Sequence, residues 1–115
     1  IATNRQGQQL APAGSCRDLF LHVPAAHLDR AQALIADHLA GQAEVYPVAD
    51  LIARGFFGPP APRFLERVGN LVVLPYEGQS VYWRGGGRFG QSLWGNHGGL
   101  TRAEMETILL ARAYR

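Results

Sequence analysis

Three short apolar runs, each ending at a proline, constrain this 115-residue chain more than any other feature. Asp18-Leu19-Phe20-Leu21-His22-Val23 meets Pro24, a second run closes at Pro47, and Asn70-Leu71-Val72-Val73-Leu74 meets Pro75. Runs this short suit buried strands, and none approaches the roughly 20 apolar residues that span a bilayer. Between the first two, residues 25–40 place Leu28, Ala31, Ile35 and Leu39 on one stripe at spacings of three and four. Asp29, Arg30 and Asp37 lie off it, so the spacing predicts an amphipathic helix closed by Gly41.

A strand over 43–47 and a helical stretch over 48–54, ended by Gly55, complete a β-α-β-α order. Pro59, Pro60 and Pro62 exclude regular helix or central strand beyond it, while Phe56 and Phe57 predict a loop anchored in the core. One or two helical turns over 63–68 follow. Residues 70–75 and 79–83 then read as the arms of an antiparallel hairpin around Glu77-Gly78. A glycine-rich loop comes next: seven of the chain's 14 glycines fall within residues 84–99. Ordering so much glycine costs entropy, so an ordered loop here calls for a compensating contact such as a ligand, a metal or a partner. Thr101-Arg102-Ala103-Glu104 has the S/T-x-x-E form of a capping box and predicts a helix start at Thr101. Residues 108–111 read as its continuation or as a final strand. The expected class is α/β, or α+β for the chain taken alone. Residues 1–17, polar and without apolar period, read as a flexible lead-in carrying little chemistry, ahead of a segment covering 18–115.

Composition narrows the function classes. A single cysteine, Cys16, excludes a disulfide framework, a Cys-based zinc finger and an iron–sulfur cluster within the chain. The basic side chains are all arginine, 11 of them for a net charge of +2, spread along the sequence rather than clustered as in nucleic-acid binders. Nucleic-acid binding and membrane association are therefore not expected, and a soluble chain is, with the cytoplasm slightly favoured. Since the sequence begins at Ile1 rather than Met, it is expected to be processed or cut from something longer.

Histidine is the obvious ligand type. His27 and His38 share a helix face but stand roughly 16 Å apart along the axis, too far to hold one ion. They read as boundary residues, and His22 as a sheet-face residue. His97 differs because Gly95, Gly98 and Gly99 strip side chains from its surroundings and let main chain approach an ion or phosphate. From the residues alone it is either a turn residue or an exposed ligand. A catalytic zinc takes three protein ligands, and no H-x-x-x-H, C-x-x-C or carboxylate cluster lies near His97 in the sequence. Cys16 lacks an activating neighbour, Ser92 lacks a G-x-S-x-G context, and 85–90 lacks the Lys-Ser/Thr ending of a phosphate loop.

Gly95-Asn96-His97-Gly98-Gly99-Leu100-Thr101-Arg102-Ala103-Glu104-Met105 resembles the C-terminal G-x-H-G-G-L-[ST]-x-x-E-M signature of the alkaline phosphatase superfamily, in particular its type I phosphodiesterase/nucleotide pyrophosphatase branch. Gly55-Phe56-Phe57-Gly58 with Pro62-Arg63-Phe64, and 67–75 leading to Gly87-Arg88-Phe89-Gly90, are similar to the same proteins. The likeness covers roughly residues 18–110, with the His-Gly-Gly block its specific part. It departs at Asn70, where Asp is more usual, and at Ile108, where Pro is frequent.

The resemblance implies an α/β fold, two divalent ions, commonly zinc, and a Thr or Ser alkoxide that attacks phosphorus. It implies that His97 is a ligand of one metal, that Gly95, Asn96, Gly98 and Gly99 shape its loop, and that Thr101 and Glu104 anchor that loop to the next helix. It also implies that the nucleophile and the other metal ligands lie upstream in the same polypeptide. The chain is then the C-terminal part of a phosphodiesterase-like hydrolase acting on a phosphate ester or nucleotide. Taken alone it carries no catalytic residue, no tightly bound metal and no activity. Two other readings remain: a small module whose glycine-arginine loop grips an anionic ligand or partner, and a structural or oligomerising domain with a degenerate His97.

Overall fold

The computed structural model describes residues 1–84, 95, 96 and 98–114. They form a mixed helix-and-sheet fold of the α+β kind around an antiparallel four-stranded sheet. Its elements are β1 (Ala13–Gly14), β2 (Leu19–Leu21), α1 (Leu28–His38) after a 3₁₀ turn at Ala25–His27, β3 (Ala43–Pro47) and α2 (Val48–Ala53). Then come α3 (Phe64–Val68), β4 (Leu71–Pro75) and α4 (Arg102–Met105). The strand order is β1-β2-β4-β3, and every neighbouring pair is antiparallel. β2 and β3 therefore point the same way, but β4 lies between them, so the parallel neighbours of an α/β sheet do not occur among the described residues.

β4 owes its uninterrupted apolar sequence to that central place. Leu71 and Val73 join Leu19, Leu21, Val23, Ala43 and Val45 on one face, against which Leu28, Ala31 and Ile35 of α1 and Leu39 directly after it pack. Val72 faces the other way, into a cluster with Phe20, Val48 and Leu51 that Phe57, Phe64 and Val68 cover. A strand buried on both faces has no polar alternation to display. Leu71 and Val72 are wholly buried, and each contributes about 1.5–3 kcal/mol by the usual measure of apolar burial. The Phe56-Phe57 loop is anchored by Phe57, whose ring lies 6.4 Å from Phe20 and 4.8 Å from Phe64, whereas Phe56 is turned outward.

The expected hairpin is corrected by the same geometry. Both edges of β4 are occupied, by β2 and by β3, so residues 79–83 have no edge to pair with and form no strand. Val81 N–H donates instead to the Cys16 carbonyl at 3.0 Å. Residues 106–114 likewise carry neither helix nor strand, because extended backbone at Glu106 ends α4. Residues 1–17, expected as a flexible lead-in, touch the body at several points. Ala2 N–H donates to the His22 carbonyl at 2.7 Å, β1 pairs with β2, and both Cys16 and Arg17 are buried. Main-chain hydrogen bonds order this segment, and they leave no apolar period to read. The glycine-rich stretch at 85–94 lies outside the described residues.

One of the sheet's two outer edges, β3, is closed to further strands. Ala43 N–H donates to the Leu39 carbonyl, the Val45 carbonyl accepts from Gln32 Nε2 at 3.1 Å, and Pro47 has no N–H to offer. Blunting an edge in this way guards against pairing with other chains.

Asn70 ties β2 to β4 at the far end. Its side chain accepts from Val23 N–H at 2.9 Å and donates to the Val23 carbonyl at 2.8 Å. Its own N–H reaches the Leu21 carbonyl. An aspartate could accept here but not donate while ionised, which is a physical reason for the amide. Asn70→Asp is expected to destabilise the fold by about 1–3 kcal/mol at pH 7 in urea unfolding. The carboxylate would face a carbonyl, which raises its folded-state pKa, so the loss should shrink as acid protonates it. Equal stability of the two chains at neutral pH would show that the Val23 clamp contributes nothing.

Candidate functional site

The sequence block that carries the candidate ligand meets the rest of the fold at the turn between β1 and β2. Asp18 Oδ1 accepts from Ser15 N–H at 2.8 Å and also from the Ser15 hydroxyl, while Arg17 N–H donates to Ser15 Oγ at 3.1 Å. Gly14, at φ +81°, has the Asp18 carbonyl and the Phe20 ring where a side chain would begin. This tight turn sends the Arg17 side chain inward, and the residue is only 7% exposed.

There the guanidinium meets four oxygens. Nε donates to Glu104 Oε1 at 2.7 Å and Nη2 to Glu104 Oε2 at 2.9 Å, a two-pronged pair. Nη1 donates to the Tyr76 carbonyl at 2.8 Å and to the Gln79 carbonyl. Glu104 in turn accepts from the hydroxyl of Thr101 at 2.7 Å and from its N–H at 3.2 Å, so the capping interaction that starts α4 shares its carboxylate with Arg17. Hydrogen bonding from Arg17, followed by the Thr101 donors, outweighs desolvation and holds the Glu104 carboxyl down to about 2. The same pairing raises the pKa of Arg17.

Gly98 and Gly99 fill what space is left between these groups. Gly98 has φ +95°, and a Cβ built on it would lie 2.7 Å from Asp18 Oδ1 and 2.9 Å from Ser15 Oγ. Gly99 has φ +86°, and its Cβ would lie 2.6 Å from Glu104 Oε2. Both the dihedral angle and the clearance thus require glycine. Gly95, by contrast, has open space around it. Gly95 and Asn96 are both exposed. His97 lies outside the described residues. His27 and His38 are exposed, and His22 is half-buried.

Two cavities that share Leu51, Phe56, Leu74 and Leu100 flank the turn. One, of about 300 Å³, reaches Thr101 and Arg54. The other, of about 140 Å³, reaches Asp18, Gly98 and Gly99. The Arg54 guanidinium stands over the rings of Phe56 at 4.9 Å and Tyr46 at 5.6 Å. Among the described residues no group of three or more His, Cys, Asp or Glu could hold a metal ion. The nearest carboxylate to Gly98, that of Asp18, is engaged by Ser15. No helix among the described residues is long and apolar enough to cross a membrane.

Of the residues singled out from the sequence, Gly98, Gly99, Thr101 and Glu104 meet here, together with Arg17, Asp18 and Ser15, which the sequence did not single out. Nothing local marks Arg17 among the 11 arginines, and its partner stands 87 residues away. The one usable signal is the capping-box glutamate, whose charge calls for a cation somewhere in the fold. Comparison with family models, with curated proteins and with solved structures finds no match for this chain.

A carboxyl held down in the folded state contributes stability that is present above its ordinary value of 4.5 and is lost as pH falls towards about 2. Acid titration followed by NMR is therefore expected to leave the Thr101 amide signal in place through pH 4 and to move it with a midpoint near 2. Glu104→Gln should abolish that transition. A midpoint above pH 4 in the unaltered chain would mean that Arg17 does not hold the carboxylate in solution.

Proposed function

We propose that this chain is the C-terminal portion of a metal-dependent phosphoesterase akin to the type I phosphodiesterase/nucleotide pyrophosphatase branch, to which it contributes His97 as a metal ligand. The observation that carries the reading is the block from Gly95 to Met105, in which a histidine stands among glycines directly before a capped helix start. The geometry of the residues that follow His97 supports it. Gly98 and Gly99 have backbone angles and clearances that a side chain would disturb, and Glu104 is fixed by both Thr101 and Arg17. Backbone held this closely just after a histidine suits a side chain that must be presented in one direction.

A neutral imidazole is a common ligand for zinc and similar divalent ions, and an ion held there would act as a Lewis acid towards a phosphoryl oxygen. The described residues do not by themselves make a metal centre, so the remaining donors and the nucleophile would have to come from elsewhere in a longer polypeptide. No chemical step is assigned to this chain. Its part is to place one imidazole and to frame the adjoining cavities, in which Arg54 offers a fixed positive charge beside Thr101.

In the longer polypeptide, His97→Ala is expected to lower zinc content, measured by atomic absorption, together with turnover of a chromogenic phosphodiester. The 115-residue chain alone should show no hydrolysis even with added zinc or manganese. Unchanged turnover in the alanine variant would remove the ligand assignment. Stoichiometric, metal-free binding of phosphate or nucleotide by the isolated chain in calorimetry would favour an anion-binding module instead.

A further inference from the structure

We infer that the segment after α4 pairs with the same segment of a second copy of this chain, as two antiparallel strands related by a two-fold axis at Leu109. The inference does not rest on the reading above. Backbone at Glu106 is extended, and among the described residues no main-chain hydrogen bond ties residues 107–114 to the body. Ile108, Leu109 and Leu110 are 83%, 89% and 90% exposed. Consecutive aliphatic side chains in water, on main chain with unpaired donors and acceptors, are a point of attachment for another strand. The chain's own sheet offers no place for them. Its β3 edge is closed by Gln32 and Pro47, and β1 at the other edge is two residues long.

Charge selects the second copy. Among residues 106–114 the charged side chains are Glu106 and Arg112, three positions to either side of Leu109. Pairing the segment with itself about Leu109 therefore sets Glu106 opposite Arg112 of the second copy, and Arg112 opposite its Glu106. Residues directly opposite share one face of an antiparallel pair, so Ile108 and Leu110 meet their counterparts between those two ion pairs. Four aliphatic side chains are then closed at each end by opposite charges, while Leu109 meets its own copy on the other face.

Neighbouring registers lose this match. A centre at Leu110 puts Glu106 opposite Tyr114 and Arg112 opposite Ile108. A centre at Ile108 points Arg112 at Glu104, which Arg17 already holds. Within one copy Glu106 bonds Arg102 at 2.7 Å, but that pair is exposed on both sides and an exposed pair of this kind contributes little, so it does not hold Glu106 back. A contact in which the same residues serve both copies is isologous, the form that relates two identical chains by a two-fold axis.

The test is sedimentation equilibrium of the 115-residue chain under reducing conditions, over a concentration series. Strands this short bury less than the roughly 800 Å² per partner of a standard interface, so a dissociation constant between about 10 μM and 1 mM is expected. Glu106→Arg and Arg112→Glu, each of which sets like charges opposite one another twice, should weaken association about tenfold. The double variant exchanges the charges and should restore it. Oxidation of Leu109→Cys should link two copies, since its opposite number is itself, whereas in Thr107→Cys the two thiols stand about 13 Å apart along the strands and should link far less. A chain that stays monomeric throughout would overturn the inference and leave the segment to a strand of another polypeptide. A mass that grows beyond two copies, a double variant no better than the single ones, or equal linking of Leu109→Cys and Thr107→Cys would overturn it as well.

Discussion

One buried guanidinium joins the two ends of this fold. Burying a charge is costly unless it is paired and its donors are satisfied, and Arg17 meets both conditions by reaching a carboxylate and two main-chain carbonyls at once. Those partners belong to two other parts of the chain. Tyr76 and Gln79 follow the central strand, and Glu104 begins the last helix. Without the cation, α4 would have no strong reason to stay, since it is four residues long and buries none of them.

The sheet supplies the rigid frame from which that side chain works. β4 is central and apolar on both faces, so it locks β2 on one side and β3 on the other. β2 in turn fixes the β1–β2 turn on which Arg17 and Asp18 sit. Asn70 closes the opposite end by clamping Val23, and the blunted edge of β3 leaves that side of the sheet without an invitation to further strands. The stretch from Gly98 to Glu104 is therefore held at the border of a well-packed body, while its own anchorage is polar and depends on the charge of Glu104.

Several features were readable before any coordinates. The stripe Leu28, Ala31, Ile35 and Leu39 lies against the core as its spacing requires, and the apolar run ending at Pro75 is a buried strand. Thr101 starts a helix with Glu104 turned back onto it. These are local signals, carried by residues within a few positions of each other. The hairpin at 79–83 failed for a non-local reason: a strand-like sequence needs a vacant edge, and the central position of β4 leaves none. The contacts of the lead-in segment were illegible for a related reason, because main-chain pairing with β2 and His22 leaves no trace in side-chain periodicity.

The division between the two kinds of knowledge follows from range. Sequence alone determined the apolar stripe of α1, the buried run of β4 and that Glu104 would cap its helix, since each depends on neighbouring residues and on backbone sterics. Only the tertiary structure decided which of 11 equivalent arginines would be buried, and that it would be the one in a stretch with no pattern at all. Charge pairing acts through space, and a partner 87 positions away is chosen by the path of the folded chain.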